Sequence, residues 1–374
     1  MKKKILIVIP NLSGGGAEKL LVELLEIINF RKYNITLCIF EDKLDYNIDN
    51  VKDLIKVIII KKKNKIDVLR IIFKLTTIVK ENQFDTIHAW MWYASFLSII
   101  SKIIVTKIYG IRPKLIISTH NDYVNKFSQM GMKGILYGFV VKNFFNYADV
   151  ITSISKIARD GLVNSYNLDR SKIKVIYNGV NLPKIKNMAN VEICNNEYLD
   201  NSQIIISVGT LSEHKKDFVT LLYAFKFVMQ KLPEARLYII GKGPFRSQLE
   251  LLAKELEIDS HTSFLGFQQN PYKFIAKSNL FVLSSVYEGL PMVVLEAMAL
   301  KVPLVLTDFS VAKEIFQKDE AVIVPIKDYN KLSMKIIEVL NDPILSQQIS
   351  AKAYELVEKV FDIKKMAVEY ESLY

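Results

Sequence analysis

The sequence predicts an α/β protein with two parallel-sheet domains, in which strands alternate with helices. Short β-branched apolar runs recur along the 374 residues, amphipathic stretches separate nearly all of them, and one polar segment divides them into two series. Continuous apolar strands that alternate with helices are typical of parallel sheets covered on both faces. A chain of this length allows two domains or one large α/β unit.

The candidate strands number thirteen, seven before the polar segment and six after it. The first series is Ile5–Ile9, Ile35–Phe40, Val57–Ile60, Thr86–His88, Leu115–Ser118, Val150–Ser153 and Lys174–Ile176. The second series is Ile204–Val208, Arg236–Ile240, Thr262–Leu265, Leu280–Leu283, Leu304–Leu306 and Ala321–Val324. Thirteen strands are too many for one compact sheet. We therefore predict two Rossmann-like domains that face one another across a cleft.

The domain boundaries follow from the polar segment at residues 181–202, which has no strand pattern and is predicted to be a linker. Helical patterns occur on both sides of it, for example at Ala17–Asn29 and Leu221–Lys231. We predict an N-terminal domain at 1–180 and a C-terminal domain at 181–357. A C-terminal helix at about 358–374 is expected to pack back on the first domain.

Cysteine content and hydropathy restrict the class of protein. Cys38 and Cys194 lie far apart in the sequence, which fits neither a disulfide framework nor a zinc site, so a reducing cytosol is expected. The apolar run Ile5–Ile9 ends at Pro10 and is too short for the core of a signal peptide. No stretch reaches the roughly 18 uninterrupted apolar residues of a membrane-spanning helix. The sequence predicts a soluble or peripheral protein.

The positive charge is concentrated in the first half of the chain. Residues 1–180 hold 28 Lys/Arg against 15 Asp/Glu, an excess of 13, whereas residues 181–374 hold 22 against 24. Such asymmetry indicates that one half faces a polyanion, either an anionic membrane or nucleic acid. A solvated, lysine-rich surface without a partner is the alternative.

Two glycine-rich loops follow predicted strands, where ligands bind in open parallel sheets. The first is Pro10–Lys19, with three consecutive glycines before a helix, and the second is Ile240–Phe245, with Gly241 and Gly243. Glycines let a backbone approach a ligand, and a helix start offers free N–H groups to an anion. Neither loop has the spacing of a dinucleotide fingerprint or of a P-loop. A plain tight turn remains the alternative for the first loop.

The loop after Leu280–Leu283 carries two glutamates in a more specific context. Glu288 lies just before a predicted helix, Met292–Leu300, and Glu296 lies inside it. A chain that turns back here would direct both carboxylates at one pocket beside the helix N-terminus. Spacing alone is weak evidence, since chance pairs at this separation occur in any chain with this many glutamates.

This segment resembles the Glu-x7-Glu signature of retaining glycosyltransferases of family 4, which have the GT-B fold. The likeness extends over nearly the whole chain, through Gly15-Gly16-x-Glu18, Asn178-Gly179-Val180, Lys216-Asp217-Phe218 and Thr307-Asp308. The combination is highly specific for fold and reaction class and poorly specific for the sugar. One position departs from the family pattern, because Thr210 stands where the family usually has a phosphate-binding arginine. Lys215 and Lys216 are both candidates to supply that charge.

The resemblance implies roles for particular residues. Glu288 would contact hydroxyls of the donor sugar, Glu296 the ribose, and His120 would lie near the sugar. The amides of Gly16, the helix start and Lys216 would stabilise the departing diphosphate. The predicted catalytic residues are Glu288, His120 and Lys216. The predicted donor-binding residues are Gly15, Gly16, Lys215, Lys216, Gly241, Gly243, Glu288, Gly289, Leu290, Pro291, Met292, Val293 and Glu296.

The chemistry of a departing diphosphate requires the same groups, because fixed N–H donors and a cation lower the barrier where negative charge develops. The sequence has no Asp-x-Asp motif to suggest a metal clamp, so no metal or other cofactor is expected. We expect a hexosyltransferase that moves a sugar, an N-acetylhexosamine for example, from a UDP-sugar to a lipid-linked glycan, lipopolysaccharide or surface polysaccharide. GDP-mannose is the alternative donor. Two other functions remain open: a nucleic-acid-binding protein, and a GT-B nucleotide-sugar epimerase.

Basic and apolar stretches in the first half suggest where a membrane would be contacted. Tyr93–Tyr109 is strongly apolar, and the basic clusters Lys61–Lys65 and Lys74–Lys80 flank another apolar helical pattern. Basic amphipathic helices suit an anionic leaflet, so a peripheral position on the inner face of the cytoplasmic membrane is expected, with no nucleic acid bound. Burial of Tyr93–Tyr109 as a core helix is an equally good explanation of that segment. His88, His214 and His261 are expected to be ordinary surface or packing histidines.

Overall fold

The computed structural model describes residues 1–13, 15–41, 46–61, 67–193, 203–212 and 215–374. These residues form two compact units. Unit 1 comprises Met1–Asn178 together with Ile363–Tyr374, and unit 2 comprises Gly179–Asp362. The basic cluster predicted at Lys61–Lys65 lies, apart from Lys61, outside the described residues, as do Cys194 and His214.

Unit 1 is built on a seven-stranded sheet in which every adjacent pair is parallel. Its strands are β1 (Lys3–Ile9), β2 (Tyr33–Ile39), β3 (Lys56–Ile59), β4 (Thr86–Trp90), β5 (Lys114–Thr119), β6 (Val150–Ser153) and β7 (Ile173–Val175). The spatial order is β3-β2-β1-β4-β5-β6-β7. The order reverses direction at β1, which is the switch point where such sheets bind ligands.

Unit 2 is built on a six-stranded sheet, again with only parallel pairs. Its strands are β8 (Ile204–Val208), β9 (Arg236–Ile240), β10 (Thr262–Gly266), β11 (Leu280–Leu283), β12 (Leu304–Thr307) and β13 (Val322–Val324). The spatial order is β10-β9-β8-β11-β12-β13. All thirteen strands predicted from the sequence are present, and the prediction of two Rossmann-like parallel-sheet domains is confirmed. Their apolar runs are recognisable because most of these strands are buried on both faces.

Helices cover the sheets of both units. Those of unit 1 are α1 (Gly16–Ile27), α2 (Val68–Asn82), α3 (Met91–Tyr109), α4 (Tyr123–Ser128), α5 (Gly131–Phe144), α6 (Lys156–Tyr166) and, at the C-terminal end, α15 (Ile363–Glu371). Those of unit 2 are α7 (Leu182–Ala189), α8 (Phe218–Lys231), α9 (Arg246–Glu255), α10 (Tyr272–Ile275), α11 (Met292–Ala299), α12 (Ala312–Ile315), α13 (Tyr329–Asn341) and α14 (Pro343–Val360).

The strongly apolar segment Tyr93–Tyr109 lies within α3. Of the helices in the described ranges, α3 alone is long and apolar enough to cross a membrane by length and composition. It packs against α2 and against β1, β4 and β5 of the unit 1 sheet. These contacts agree with the interpretation of α3 as a core helix of a globular domain.

The polar segment at 181–202 differs from the predicted linker. Residues 182–189 form α7, whose N-cap Asn181 accepts a hydrogen bond from the Lys184 amide at 3.1 Å. Helix α7 packs against α10 and α11, so this part of the segment belongs to unit 2. The hydropathy pattern does not reveal α7, because the helix is short and only Leu182 and Ile185 of it are buried. The linker interpretation is wrong for residues 182–189.

The chain enters unit 2 at Gly179 and returns to unit 1 at Ile363. The Val180 amide donates to the Phe361 carbonyl at 2.8 Å, so the outgoing and returning segments lie side by side. Beyond that point α15 packs against α1, and Glu371 accepts a hydrogen bond from the Asn29 amide at 2.8 Å. The C-terminal residues are therefore part of unit 1, beginning at residue 363 where the sequence suggested about 358.

Candidate active site

The candidate site of unit 2 lies where β8, β9, β11 and β12 end. These four strands are neighbours in the order β9-β8-β11-β12, and all run parallel, so the loops after them meet at one edge of the sheet. The loop after β11 holds Glu288, and the loop after β8 holds Lys215 and Lys216. Topology thus brings together residues that are more than 70 positions apart in the sequence.

Glu288 forms ion pairs with both lysines. Its Oε1 is 2.7 Å from Nζ of Lys216, and its Oε2 is 3.1 Å from Nζ of Lys215. The Ser285 hydroxyl donates to the same Oε1 at 2.9 Å. The Glu288 side chain is only 5% exposed and that of Lys216 11%, whereas that of Lys215 is 35% exposed. One carboxylate therefore holds a buried and a half-exposed ammonium group in the same site.

These contacts determine the charge of Glu288. Burial by itself would raise the pKa of this carboxyl, but the charges of Lys216 and Lys215 and their hydrogen bonds lower it below the ordinary value. Glu288 is therefore ionised at neutral pH despite its burial. A deeply buried carboxylate held by two lysines is expected to contribute to the stability of the folded state, since an unpaired charge here would be costly.

Backbone and hydroxyl contacts fix the two loops to each other. The Val286 amide donates to the Lys215 carbonyl at 2.9 Å, and the Ser284 hydroxyl donates to the Lys216 carbonyl at 2.9 Å. The Ser310 hydroxyl, from the loop after β12, donates to the Glu288 carbonyl at 3.0 Å. Because these hydrogen bonds fix the backbone carbonyl of each lysine, the ammonium groups are positioned before any ligand binds.

The path of the Lys216 side chain depends on two neighbouring residues. A Cβ at Gly209, the residue after β8, would lie 2.8 Å from the Lys216 Cε, so the lysine stem runs directly over a glycine backbone. Asp217 follows in the left-handed conformation at φ 45° and caps α8 by accepting from the Thr220 amide at 3.2 Å. The sequence reasoning missed Gly209, although a glycine directly after a strand at a predicted ligand edge is a usable signal.

Glu296 lies about one helical turn after the first residue of α11 and is 3% exposed. The Tyr272 hydroxyl donates to its Oε1 at 3.2 Å. The segment between the two glutamates, Gly289–Val293, is buried or half-buried and leads into α11, and Pro291 is its N-cap. Tyr272 was not identified from the sequence, because nothing in its local pattern indicates a contact with a residue 24 positions away.

The glycines of the loop after β9 have a packing role. Gly241 has φ 152°, and a Cβ there would lie 1.8 Å from the Gly209 carbonyl oxygen. A Cβ at Gly243 would lie 2.0 Å from the carbonyl oxygen of Leu211. Both glycines therefore allow the loops after β8 and β9 to pack backbone against backbone, beside Lys216. Nucleotide binding by Gly241 and Gly243 stays a prediction.

The glycine loop of unit 1 leads into α1, with Gly15 as its N-cap and Gly16 as its first residue. The Glu18 carboxylate folds back over this end, since a Cβ at Gly15 would lie 2.1 Å from Oε2 of Glu18. Burial raises the Glu18 pKa, although the residue's own amide and the charge of Lys126 oppose the shift. A diphosphate oxygen at this helix start would meet a carboxyl group, so the role of Gly16 stays a prediction.

His120 lies directly after β5 in unit 1 and is 8% exposed. Its ring stacks on Trp90, with centroids 4.3 Å apart and an interplanar angle of 14°. Among the described residues, neither ring nitrogen has a partner in hydrogen-bond geometry. Burial lowers the His120 pKa to about 3, and the nearby Asn178 side chain opposes the shift without forming a proper hydrogen bond. His120 is therefore neutral at physiological pH, with its ring held by stacking.

His88 lies in the same unit and joins the sheet to the C-terminal residues. Its Nδ1 is 2.8 Å from the Tyr374 hydroxyl oxygen and its Nε2 is 2.7 Å from the Ser118 hydroxyl oxygen. Burial, followed by the influence of His120, lowers the His88 pKa to about 3. The expectation that His88 is a packing histidine is confirmed, and its hydrogen bonds explain why a polar ring is tolerated there.

These two histidines predict a stability that depends on pH. Their folded-state pKa values lie below the ordinary 6.5, so the stabilisation is complete above pH 6.5 and is lost as the pH falls towards 3. Each histidine should reduce the free energy of unfolding by about 2 kcal/mol between about pH 7 and pH 5. In urea unfolding, His88→Gln should show a weaker pH dependence than the wild type. An unchanged slope in His88→Gln would contradict this assignment.

Among the described residues, no group of three or more His, Cys, Asp or Glu side chains is arranged to hold a metal ion. The carboxylates of the candidate site are instead engaged by lysines and a tyrosine. The metal-free expectation rests on the chemistry of this donor set and stays a prediction.

Comparison with known proteins identifies the family. The model of "Glycosyltransferase Family 4" matches residues 14–184, and that of "Glycosyl transferases group 1" matches residues 194–356. The two matches together span most of the chain and correspond closely to units 1 and 2.

Two relatives with similar sequences are named as glycosyltransferases. The chain is 26% identical to the N-acetylgalactosamine-N,N'-diacetylbacillosaminyl-diphospho-undecaprenol 4-alpha-N-acetylgalactosaminyltransferase of Campylobacter jejuni, over 98% of this chain and 97% of that protein. It is 30% identical to an uncharacterized glycosyltransferase of Methanocaldococcus jannaschii, over 64% of this chain but only 60% of that relative's length.

Solved structures share the fold over the full length. The structure of Anabaena HepE in complex with UDP and glucose superposes with a TM-score of 0.81 and 19% identity, covering 99% of this chain and 98% of that one. The same protein in complex with UDP-glucose also gives a TM-score of 0.81. Two family models, enzyme relatives and this shared architecture identify the same family. The chain is a GT-B glycosyltransferase and belongs to family 4.

Proposed function

We propose that the protein is a retaining glycosyltransferase that moves a sugar from a UDP-sugar, an N-acetylhexosamine donor in particular, to a lipid-linked glycan. The observation that carries the proposal is Glu288, a buried carboxylate held by Lys216 and Lys215 at the ligand-binding edge of the unit 2 sheet. Two lysines converge there on one loop carboxylate. A nucleotide-sugar diphosphate would explain it, because the lysines supply the cations that its phosphates need.

The arrangement suits departure of a nucleoside diphosphate. Negative charge grows on the diphosphate as the sugar bond breaks, and ammonium groups already in place stabilise that charge without reorganisation. When the diphosphate engages Lys216 and Lys215, the Glu288 carboxylate becomes available to accept hydrogen bonds from sugar hydroxyls. Glu296, deeper in α11, is proposed to accept hydrogen bonds from the ribose. His120, a neutral imidazole of unit 1, is proposed as a further catalytic group.

The choice of donor and acceptor draws on the relatives. The name of the Campylobacter relative describes transfer of N-acetylgalactosamine, in an alpha linkage, to a diphospho-undecaprenol-linked saccharide, and the HepE structures contain UDP or UDP-glucose. An alpha linkage is what retention gives from an alpha-linked donor. A polyprenyl-linked acceptor also agrees with the excess of 13 positive charges in residues 1–180, which suits the anionic inner face of the cytoplasmic membrane. Lipopolysaccharide or another surface polysaccharide is the broader acceptor class.

A thermal-shift panel tests donor binding. UDP-N-acetylglucosamine, UDP-N-acetylgalactosamine, UDP-glucose and GDP-mannose are each added to the full chain. A donor present at 100 times its dissociation constant should stabilise the folded state by about 2.7 kcal/mol. Glu296→Ala should reduce the shift, whereas Tyr272→Phe, which removes only the hydroxyl contact to Glu296, should retain most of it. The proposal fails if no nucleotide or nucleotide sugar raises the unfolding temperature.

Turnover is expected to persist in excess EDTA. The cations facing the diphosphate would be Lys216 and Lys215, and these need no divalent ion. The measurement is the initial transfer rate before and after chelation, with the same reaction supplemented with magnesium or manganese as the comparison. A rate that collapses on chelation and returns with added metal would contradict the metal-free mechanism.

A further inference from the structure

Helix α5 of unit 1 presents a continuous apolar stripe to solvent. Its members are large side chains that are each more than half exposed: Met132 at 86%, Ile135 at 75%, Leu136 at 59% and Phe139 at 59%. Their spacing of three and four residues places all four on one side of the helix. Monomeric soluble proteins rarely leave such contiguous patches uncovered, so this face is a candidate interaction site.

The opposite face of α5 is also apolar and is packed. Gly134 and Val141 are buried there, and a Cβ at Gly134 would lie 1.8 Å from the Phe127 carbonyl oxygen of α4. The glycine thus seats α5 closely on α4, which fixes the outward direction of the stripe. A helix that is apolar on both faces while one face remains exposed is not explained by packing within its domain.

Charge around the stripe indicates the partner. Lys133 and Lys142 flank it on its two sides, and both are exposed. From residue 123 to residue 148 the chain contains three lysines and no aspartate or glutamate. Tyr147, just beyond the end of α5, is 58% exposed. Apolar side chains bordered by lysines, with an aromatic ring at the end, are typical of a helix lying in a bilayer interface.

We propose that α5 docks the protein on an anionic lipid bilayer, with Ile135, Leu136 and Phe139 inserted into the acyl boundary and Lys133 and Lys142 at the headgroups. This inference deepens the proposed function and rests on it in one respect, since a lipid-linked acceptor is presented at a membrane. The basic N-terminal half supplies the long-range attraction, and α5 supplies the hydrophobic attachment. Attachment by α5 is therefore less sensitive to salt than attraction by charge alone.

Vesicle binding by the full-length chain tests the inference. The variant Ile135→Ser/Leu136→Ser/Phe139→Ser should bind phosphatidylglycerol-phosphatidylethanolamine vesicles at least about a hundredfold more weakly than the wild type, given the hydrophobic contribution of each buried methylene group. The matched control Leu251→Ser/Met334→Ser/Ile344→Ser changes three residues of unit 2 that are 57%, 66% and 71% exposed, and it should bind like the wild type. A separate variant, Phe139→Trp, should show blue-shifted emission on these vesicles.

Several outcomes would overturn the inference. One is equal vesicle binding by the α5 variant and the wild type, and another is a wild type that binds no anionic vesicles. A third is a wild-type dimer that the α5 variant converts to a monomer with unchanged vesicle binding, which would make a second copy of the chain the partner. The UDP-sugar thermal shift, measured on the same proteins, separates the two proposals. If the UDP-sugar still raises the unfolding temperature but vesicle binding does not depend on α5, only the docking proposal is refuted. If vesicle binding depends on α5 but no UDP-sugar raises the unfolding temperature, only the donor assignment is refuted.

Discussion

Replacement of Glu288 by glutamine is expected to reduce sugar transfer by about 10³-fold, the upper end of the effect of removing one preorganised polar group. Glutamine has nearly the same shape but no charge, so it cannot hold Lys216 and Lys215 or accept hydrogen bonds from sugar hydroxyls as strongly. The measurement is kcat with the native substrates at a temperature at which the variant is fully folded. Wild-type turnover by Glu288→Gln would remove this residue from the catalytic site.

The same substitution should also reduce stability. It leaves the Lys216 ammonium, whose side chain is 11% exposed, without its buried counter-ion, and breaking a buried pair costs up to roughly 3–5 kcal/mol. Lys215 is 35% exposed and can turn to water, so the lower part of that range is expected. Glu320→Gln is the matched control, because Glu320 is a buried carboxylate of unit 2, at 6% exposure, that binds the Lys318 amide. The control should lose stability without a comparable loss of turnover.

Lys216→Met should be the second most damaging change, with kcat/KM lowered by about 10²–10³-fold. Lys216 is the more buried of the two lysines and forms the shorter contact with Glu288, 2.7 Å against 3.1 Å for Lys215. A cation in a site that excludes water stabilises a developing charge more strongly than one in contact with solvent. Methionine retains most of the apolar stem that runs over Gly209, so packing is largely preserved.

Lys215→Met is the natural comparison. Its ammonium is partly solvated, so its loss should lower kcat/KM by no more than about fivefold, since an exposed ion pair contributes up to roughly 1 kcal/mol. The ranking also bears on Thr210, which stands at the position of the family's usual arginine and is exposed here. If Lys215→Met lowers kcat/KM as much as Lys216→Met or more, Lys215 supplies the charge of the family's usual arginine. The assignment of Lys216 as the principal cation would then be wrong.

The strands and the division into two sheets were predictable because a buried parallel strand leaves a local signature. β1 and β8, for example, are short apolar runs that end at Pro10 and Gly209, and each lies in the interior of its sheet, between two other strands. Helix α7 was not predictable in the same way. Only Leu182 and Ile185 of its eight residues are buried, so its pattern resembles a polar linker.

The candidate site was predictable in identity but not in geometry. Glu288 and Glu296 stand out through a family resemblance, whereas their partners come from other parts of the chain. The Lys216 contact depends on hydrogen bonds between loops more than 65 residues apart, such as that from Ser284 to the Lys216 carbonyl. Burial of Glu288 could not be inferred either, because a loop carboxylate is normally solvated.

The exposed face of α5 illustrates the opposite difficulty. Most of its residues are apolar, which by itself indicates a core helix. Only the packing of Gly134 against α4 shows which residues face outward. Exposure of an apolar side chain is a property of the whole fold and cannot be inferred from a local pattern.

The central claim is transfer of a sugar from a nucleotide diphosphate to an acceptor, and a product assay tests it most directly. The full chain is incubated with UDP-N-acetylhexosamine and a polyprenyl-diphosphate-linked saccharide, and the acceptor is analysed by mass spectrometry and NMR. The predicted result is an acceptor that has gained one N-acetylhexosamine in an alpha linkage, with release of UDP. Epimerisation of the UDP-sugar with no change in the acceptor, or no reaction with any UDP- or GDP-sugar, would contradict it.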